Sequence, residues 1–491
     1  MKKLILILFT LCFFQPIHAQ DFGDFPKVPQ EELQRDLDLL YQGLDSFHTG
    51  MYWYSTYDDV RSAFDAAKRE IDRDLNVLEF FKIVAPLVSL SREDHTDMSF
   101  SNGTREAIAK EATFFPFTVV FLGTDLYIWK NGSDEDAVIE GRKVLSINGE
   151  TPVEIAKKLG TLFASDGYNE AVKYSDLRRF RFARNFYYYY GNLSSFEVEF
   201  EDETIVFSPV NLTQLNQNFA ARYGKEPQRQ TTKESLEFQV IDDSIAYLGL
   251  HSFSNDSYAE NETNKNFPRF LQNSFAEIEQ KNIETLIIDI SKNGGGDEGN
   301  GNLLFSYIGD NFQKYKRVSA KTQTAILDNG VDKPVELKTF GFFERVFLNK
   351  KMEDGSYERR EGRGHGLMAY KKGPKHKYSG DIYVLISPIT YSGASELSNM
   401  IYTNDRAIFV GQETGGGYYG NTSGYTQDLT LPNSKITVEI PALKFEANVK
   451  DVIPFGRGVI PHHQVIPSFE QYISGKNEAL EFTLNLIREK E

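Results

Sequence analysis

Thr285-Leu-Ile-Ile-Asp-Ile-Ser-Lys-Asn-Gly-Gly-Gly296 is the stretch on which the fold turns. Its first half is a near-continuous apolar run, as a strand buried on both faces requires, rather than the alternation of a half-exposed one. Its second half ends in three glycines, which let the chain turn sharply and bring backbone N–H groups toward one point. Two runs of the same kind, Ile245-Ala-Tyr-Leu-Gly-Leu250 and Ile382-Tyr-Val-Leu-Ile386, lie on either side of it. Helical spacing follows them at 266–280, 300–308 and 394–403. That rhythm predicts an α/β layered core from about residue 236. The charged, glycine-rich stretch 315–379 interrupts it and reads as an insertion or surface lobe.

Ahead of the core the pattern changes twice. Leu33, Leu37, Leu40 and Leu44, then Val60, Phe64, Ala67 and Ile71, recur at helical spacing, so 29–90 reads as helical. From Phe114 short alternating strands take over, and 141–149 runs a strand into an Asn-Gly turn. Thr151 to Leu159 begins with a capping-box signature. The basic and aromatic run from Arg178 to Tyr190 reads as a packed amphipathic helix with snorkelling arginines, and the polar stretch 214–233 as a linker. The whole is α+β and multidomain. The expected divisions are a signal peptide over 1–20, a helical domain over 21–112, a small β module over 113–165, a helix and strand connector over 166–235, the core over 236–475 and a C-terminal helix over 476–491.

The first twenty residues read as an address. Lys2 and Lys3 give a positive start, Leu4 to Phe14 is apolar but too short to span a bilayer, and Ala19 supplies a small residue for cleavage. The one cysteine, Cys12, lies within this segment. An exported chain without disulfides or a thiol nucleophile fits the periplasm or exterior of a bacterial envelope. Lys+Arg 54 against Asp+Glu 70 gives a net charge of −16 over 491 residues. Nucleic acid is set aside as a partner, because a phosphate backbone needs a basic face, and stable membrane insertion is not expected either.

Three segments carry chemistry. The glycines after Asp289 suit a developing oxyanion. Thr390-Tyr-Ser-Gly-Ala-Ser-Glu396 follows a buried strand and opens a helix. A serine there sits at the positive end of the helix, beside a small residue that lets a carbonyl approach. A plain helix N-cap carries the same signature. Ser91-Arg-Glu-Asp-His95-Thr sets a histidine among carboxylates, the makings of a base with an orienting acid. His462-His463 has no third ligand at metal spacing, and Glu413 reads as a strand-end carboxylate bonded to backbone. Neither metal nor cofactor is expected.

These residues resemble the motifs of peptidase family S41, the C-terminal processing protease and tricorn-core family. The strand, Asp289, Asn293 and paired glycines are similar to its first core motif. Ile386-Ser-Pro-Ile-Thr-Tyr-Ser-Gly-Ala-Ser-Glu followed by Ala407-Ile-Phe-Val-Gly-Gln-Glu-Thr-Gly resembles its nucleophile block, and the interval from Ser392 to Gly411 and Thr414 matches without a gap. Ile245 to Phe253 resembles its opening strand, Gly456-Arg-Gly-Val-Ile-Pro461 its closing turn, and Glu93-Asp94-His95-Thr96 its N-terminal Asp-x-His-Thr segment with Glu93 in place of the Asp.

The resemblance implies a ClpP/crotonase-like core, a PDZ-like module within 113–165 and an exported serine peptidase acting on a peptide or protein. It implies Ser392 as nucleophile in preference to Ser395. It gives His95 as base and Asp451, or else Asp94, to orient the imidazole. Backbone N–H of Gly393 with Gly294 or Gly295 would hold the oxyanion. The processing-protease branch has a lysine base where this chain has Gly417, and Ser291 replaces its arginine after Asp289. Two rivals stay open, a Ser-Lys dyad using Lys444 or Lys450 and a catalytically silent fold that binds a peptide or apolar ligand.

Overall fold

The computed structural model describes residues 21–224, 235–258, 266–310, 312–330, 333–363, 374 and 376–490. The signal segment expected over 1–20 lies outside the described residues. Three helices open the chain: α1 (Gln30–Phe47), α2 (Tyr57–Glu70) and α3 (Val77–Ser89). Thr56 caps α2 by accepting the Asp59 N–H, and Asn76 and Glu79 form a capping box on α3. The leucine stripe of α1 packs with Val60, Phe64 and Ala67 of α2 and with Phe80 and Val84 of α3 in one apolar core.

The same core takes in the strands that follow. β1 (Phe117–Leu122) and β2 (Asp125–Asn131) form an antiparallel sheet closed by Lys143–Val144. Ser146–Ile147 pairs instead with Phe196–Glu199, in a second sheet with Thr204–Phe207, so the strands of this region continue past residue 165. The aromatic run forms α4 (Phe180–Tyr190), which buries Phe182, Phe186 and Tyr187 against Phe115 and its neighbours. The linker read over 214–233 is corrected in its first half. Asn211 caps a helix over Leu212–Tyr223 that buries Leu215, and 225–234 lies outside the described residues.

The C-terminal half is built on six strands in the order β3 (Leu236–Val240), β4 (Ile245–Leu250), β5 (Thr285–Asp289), β6 (Asp381–Ile386), β7 (Ile408–Gly411) and β8 (His463–Gln464). β3 is antiparallel to β4 and every later pair is parallel. Both faces of the four inner strands, β4 to β7, are covered, which is why these are mostly apolar while the edge strands β3 and β8 are not. Leu248, Leu286, Ile288, Val384 and Ile386 pack under α5 (Phe267–Gln280), α6 (Glu298–Ile308) and α7 (Gly393–Thr403). Tyr247, Ile287, Tyr383, Leu385 and Val410 pack on the other face with Ile487 of α8 (Glu478–Arg488). The register sets Asp289 opposite Gly249 and Leu385, so β5 and β6 end side by side and their following turns meet.

Further pairings complete the C-terminal half, and one joins the two halves. Tyr315–Ala320, the first strand of the lobe, runs antiparallel to Leu443–Ala447, which also pairs with Gly420–Ser423. Asp97–Ser99 pairs with Thr437–Ile440, and this fastens the segment just after His95 to the C-terminal half.

Candidate active site

Ser392 lies at the end of the turn from β6 into α7, with φ 48° and ψ −126°. A residue with a Cβ is strained there by about 1–3 kcal/mol, and such strain persists only where the surroundings fix it. The fixing bonds are present. Tyr391 N–H donates to the Asn293 carbonyl at 3.1 Å, the Thr390 hydroxyl to the Ile290 carbonyl at 2.9 Å, and Gly415 N–H to the Thr390 carbonyl at 2.9 Å. The turn is thus latched to the glycine loop on one side and to the strand after β7 on the other. Ser392 makes no side-chain cap to its helix, so the N-cap role that shares its signature is not filled by its hydroxyl. Ser395, by contrast, is 2% exposed and its hydroxyl donates to the Ser392 carbonyl at 2.8 Å.

The glycine loop presses on Ser392. A Cβ on Gly295, where φ is +104°, would lie 2.7 Å from Ser392 Cβ and 3.0 Å from the Gly393 nitrogen. A Cβ on Gly416 would lie 2.0 Å from Ser395 Oγ and 2.8 Å from its Cβ. Both positions need glycine, Gly295 because the backbone of the nucleophile turn passes against it and Gly416 because the Ser395 side chain does. Gly393 N–H, the first of α7, has no acceptor within the helix. Of the two glycines expected as alternatives, Gly295 has its N–H engaged by Asn293 Oδ1 at 2.8 Å.

His95 comes to the same place from the N-terminal half. Its ring centroid is 6.2 Å from that of Tyr391, the residue before Ser392. The loop bearing it is held from three directions. Glu93 accepts the Thr422 N–H at 2.8 Å, Asp94 N–H donates to Asp166 Oδ1 at 3.0 Å, and Thr96 Oγ1 lies 2.8 Å from His48 Nε2. Burial pushes His48 down to about 3, so that ring is neutral. Asp166 is 1% exposed and its second oxygen accepts the Gly417 N–H at 3.0 Å. Burial raises its carboxyl, while the charge of His95 pulls it back down. Asp94 is pushed up to about 8 by burial and by Asp166, and burial drives Glu93 well above the carboxylate range.

Asp166 is the residue that the sequence reading missed. Ser165-Asp-Gly167 straddles the boundary drawn between the β module and the connector, and no motif marks it there. Asp451, expected to orient the histidine, is exposed and accepts the Tyr419 hydroxyl at 2.6 Å, while Asp166 is a buried acid whose carboxyl feels the charge of His95. The two lysines have other partners. Lys450 pairs with Asp405 at 2.5 Å, and Lys444 stands 4.0 Å over the Trp53 ring and 3.5 Å from Glu446. Glu413 accepts the Gly458 N–H at 2.8 Å and pairs with Arg457, a structural strand end. His462 Nδ1 accepts the Phe409 N–H at 2.9 Å. Among the described residues no group of three or more His, Cys, Asp or Glu is placed to hold a metal ion.

Residues 244–465 match the model of peptidase family S41. The chain is similar in fold to mature CPAF, at 15% identity and a TM-score of 0.56 over 90% of this chain and 94% of that one. It is similar also to mature CPAF complexed with lactacystin, at 15% identity and a TM-score of 0.59 over 93% and 97%. No curated protein matches the chain significantly in sequence.

Proposed function

We propose that the chain is a serine peptidase of family S41, whose model its residues 244–465 match, with Ser392 as its nucleophile, His95 as its general base and Asp166 as the acid that polarises and positions His95. The observation that carries this reading is the strained backbone of Ser392 at the head of α7, pressed by Gly295. Ser392 Oγ attacks the peptide carbonyl carbon while His95 takes its proton. His95 returns that proton to the leaving amine, and water then hydrolyses the acyl-enzyme by the same route. Gly393 and Gly294 offer their N–H groups to the oxyanion, a contribution of about 3 kcal/mol per donor in comparable sites. Asp166 takes the place given to Asp451, and it stabilises the imidazolium formed during attack.

The β module around 113–165 presents peptide in this reading, since it carries no cluster of acid, base and nucleophile and an open strand edge accepts a peptide strand. The enzyme works outside the cytoplasm, on the strength of its N-terminal address. No helix among the described residues is long and apolar enough to cross a membrane. A fluorophosphonate probe tests the central assignment. It should label the wild-type protein at Ser392 and leave Ser392→Ala unlabelled. Absence of labelling in the wild type, with folding intact, overturns the reading in favour of a silent binding protein.

A further inference from the structure

A cleft of about 600 Å³ opens beside the catalytic turns. Its floor is formed by Ser291, Lys292 and Ser387 to Ile389, the residues just ahead of Gly294 and of Ser392. The end of β1 with the turn after it, Val120 to Thr124, and the segment carrying Tyr174 and Arg178 make another part of its wall.

Arg178 stands out in that wall. It is half-buried, and its guanidinium has no hydrogen bond or ion pair to any described residue. The acid whose charge it feels most, Asp176, is paired with Arg181 at 3.4 Å. The other arginine of the cleft, Arg457, is committed to Glu413. Glu170 and Glu478 also line the space, so the cleft is no general sink for anions. It holds one half-buried guanidinium that no described residue engages. Its planar fork of donors matches a carboxylate in shape and charge. Phe121, Tyr174 and Ile389 give the same cleft apolar wall, which suits the chain on either side of that carboxylate.

Resting on the assignment of Ser392 as nucleophile, we infer that this cleft is a substrate subsite in which Arg178 takes a carboxylate of the bound peptide. A free C-terminus and an Asp or Glu side chain present the same planar group. Either would anchor the peptide while a neighbouring bond reaches Ser392.

Binding to the Ser392→Ala protein separates this inference from the catalytic one, because it needs no turnover. The probes are one fluorescein-labelled peptide of alanine, valine and leucine in four forms: free C-terminal acid, C-terminal amide, amide with one internal glutamate, and amide with glutamine at that place. The acid or the glutamate form should bind about tenfold or more tighter than its neutral twin, and whichever pair shows the gap identifies the source of the carboxylate. Adding Arg178→Met should abolish the gap, and Arg178→Lys, which keeps charge without the fork, should shrink it. Equal binding of both pairs overturns the inference, as does a gap that survives Arg178→Met or one that Arg178→Lys leaves at full size. Hydrolysis by the wild-type protein is scored separately, so a carboxylate gap without hydrolysis would count against the nucleophile and not against the cleft.

Discussion

The Gly417 N–H donates to Asp166 Oδ2 at 3.0 Å across 251 residues of sequence. The other oxygen of the same carboxylate takes the Asp94 N–H. One buried acid therefore ties the loop after Thr414 to the loop that bears His95, and sets its charge beside the imidazole. Asp166→Asn preserves size and one acceptor but removes the charge. We expect kcat to fall roughly 10²- to 10⁴-fold with KM little changed, and the thermal midpoint to drop by several degrees because one of the two buried N–H groups loses its acceptor. Steady-state kinetics beside a melt checks this, and a wild-type kcat would show that the charge is not used.

Ser392→Ala should abolish peptide hydrolysis and leave folding intact, since the hydroxyl caps nothing. Ser395→Ala removes only a buried bond to the Ser392 carbonyl at 2.8 Å and should cost about 1 kcal/mol of stability and little activity. Inactivity of Ser395→Ala with full activity of Ser392→Ala would move the nucleophile by one turn of helix.

Much of this was legible because it is local. A strand covered on both faces has to be apolar throughout, so Ile245–Leu250, Thr285–Asp289 and Ile382–Ile386 announce a parallel core. The serine stands where such a strand turns into a helix. What was not legible depends on contacts between distant segments. Asp166 looks like any Asp-Gly turn until Asp94 and Gly417 converge on it. Asp451 was named by resemblance alone, and its partner proved to be Tyr419. Gly295 lost its N–H to a neighbouring side chain, Asn293, because an Asn two residues earlier competes for a turn's donors.

The base is decided by comparing His95 with the lysines. His95→Gln should cost about 10³-fold or more in kcat. Lys450→Ala should cost almost nothing, because that lysine is a surface partner of Asp405. Burial lowers Lys444, but Glu446 holds it over Trp53, so Lys444→Ala should lower stability more than kcat. Parallel kcat and melting measurements on the three variants decide, and loss of kcat in Lys444→Ala with activity retained in His95→Gln would restore the dyad.

Asp94 links the site to pH through stability. Its carboxyl titrates at 3.8 when free and is pushed up to about 8 in the folded chain, by burial first and by Asp166 next. The folded protein therefore holds this proton more tightly than the unfolded chain does. The resulting stabilisation is complete below about pH 3.8 and is lost progressively as pH rises toward 8. Asparagine is neutral throughout, and the backbone N–H that reaches Asp166 is untouched by the change. Asp94→Asn should thus gain on the wild type as pH rises, the gap between their thermal midpoints widening by several degrees from about pH 5 to about pH 9. Melting curves of both proteins across that range test it. A gap that stays constant would mean that the folded protein already carries Asp94 ionised at the acid end, and the buried, protonated Asp94 beside His95 would then have to be abandoned.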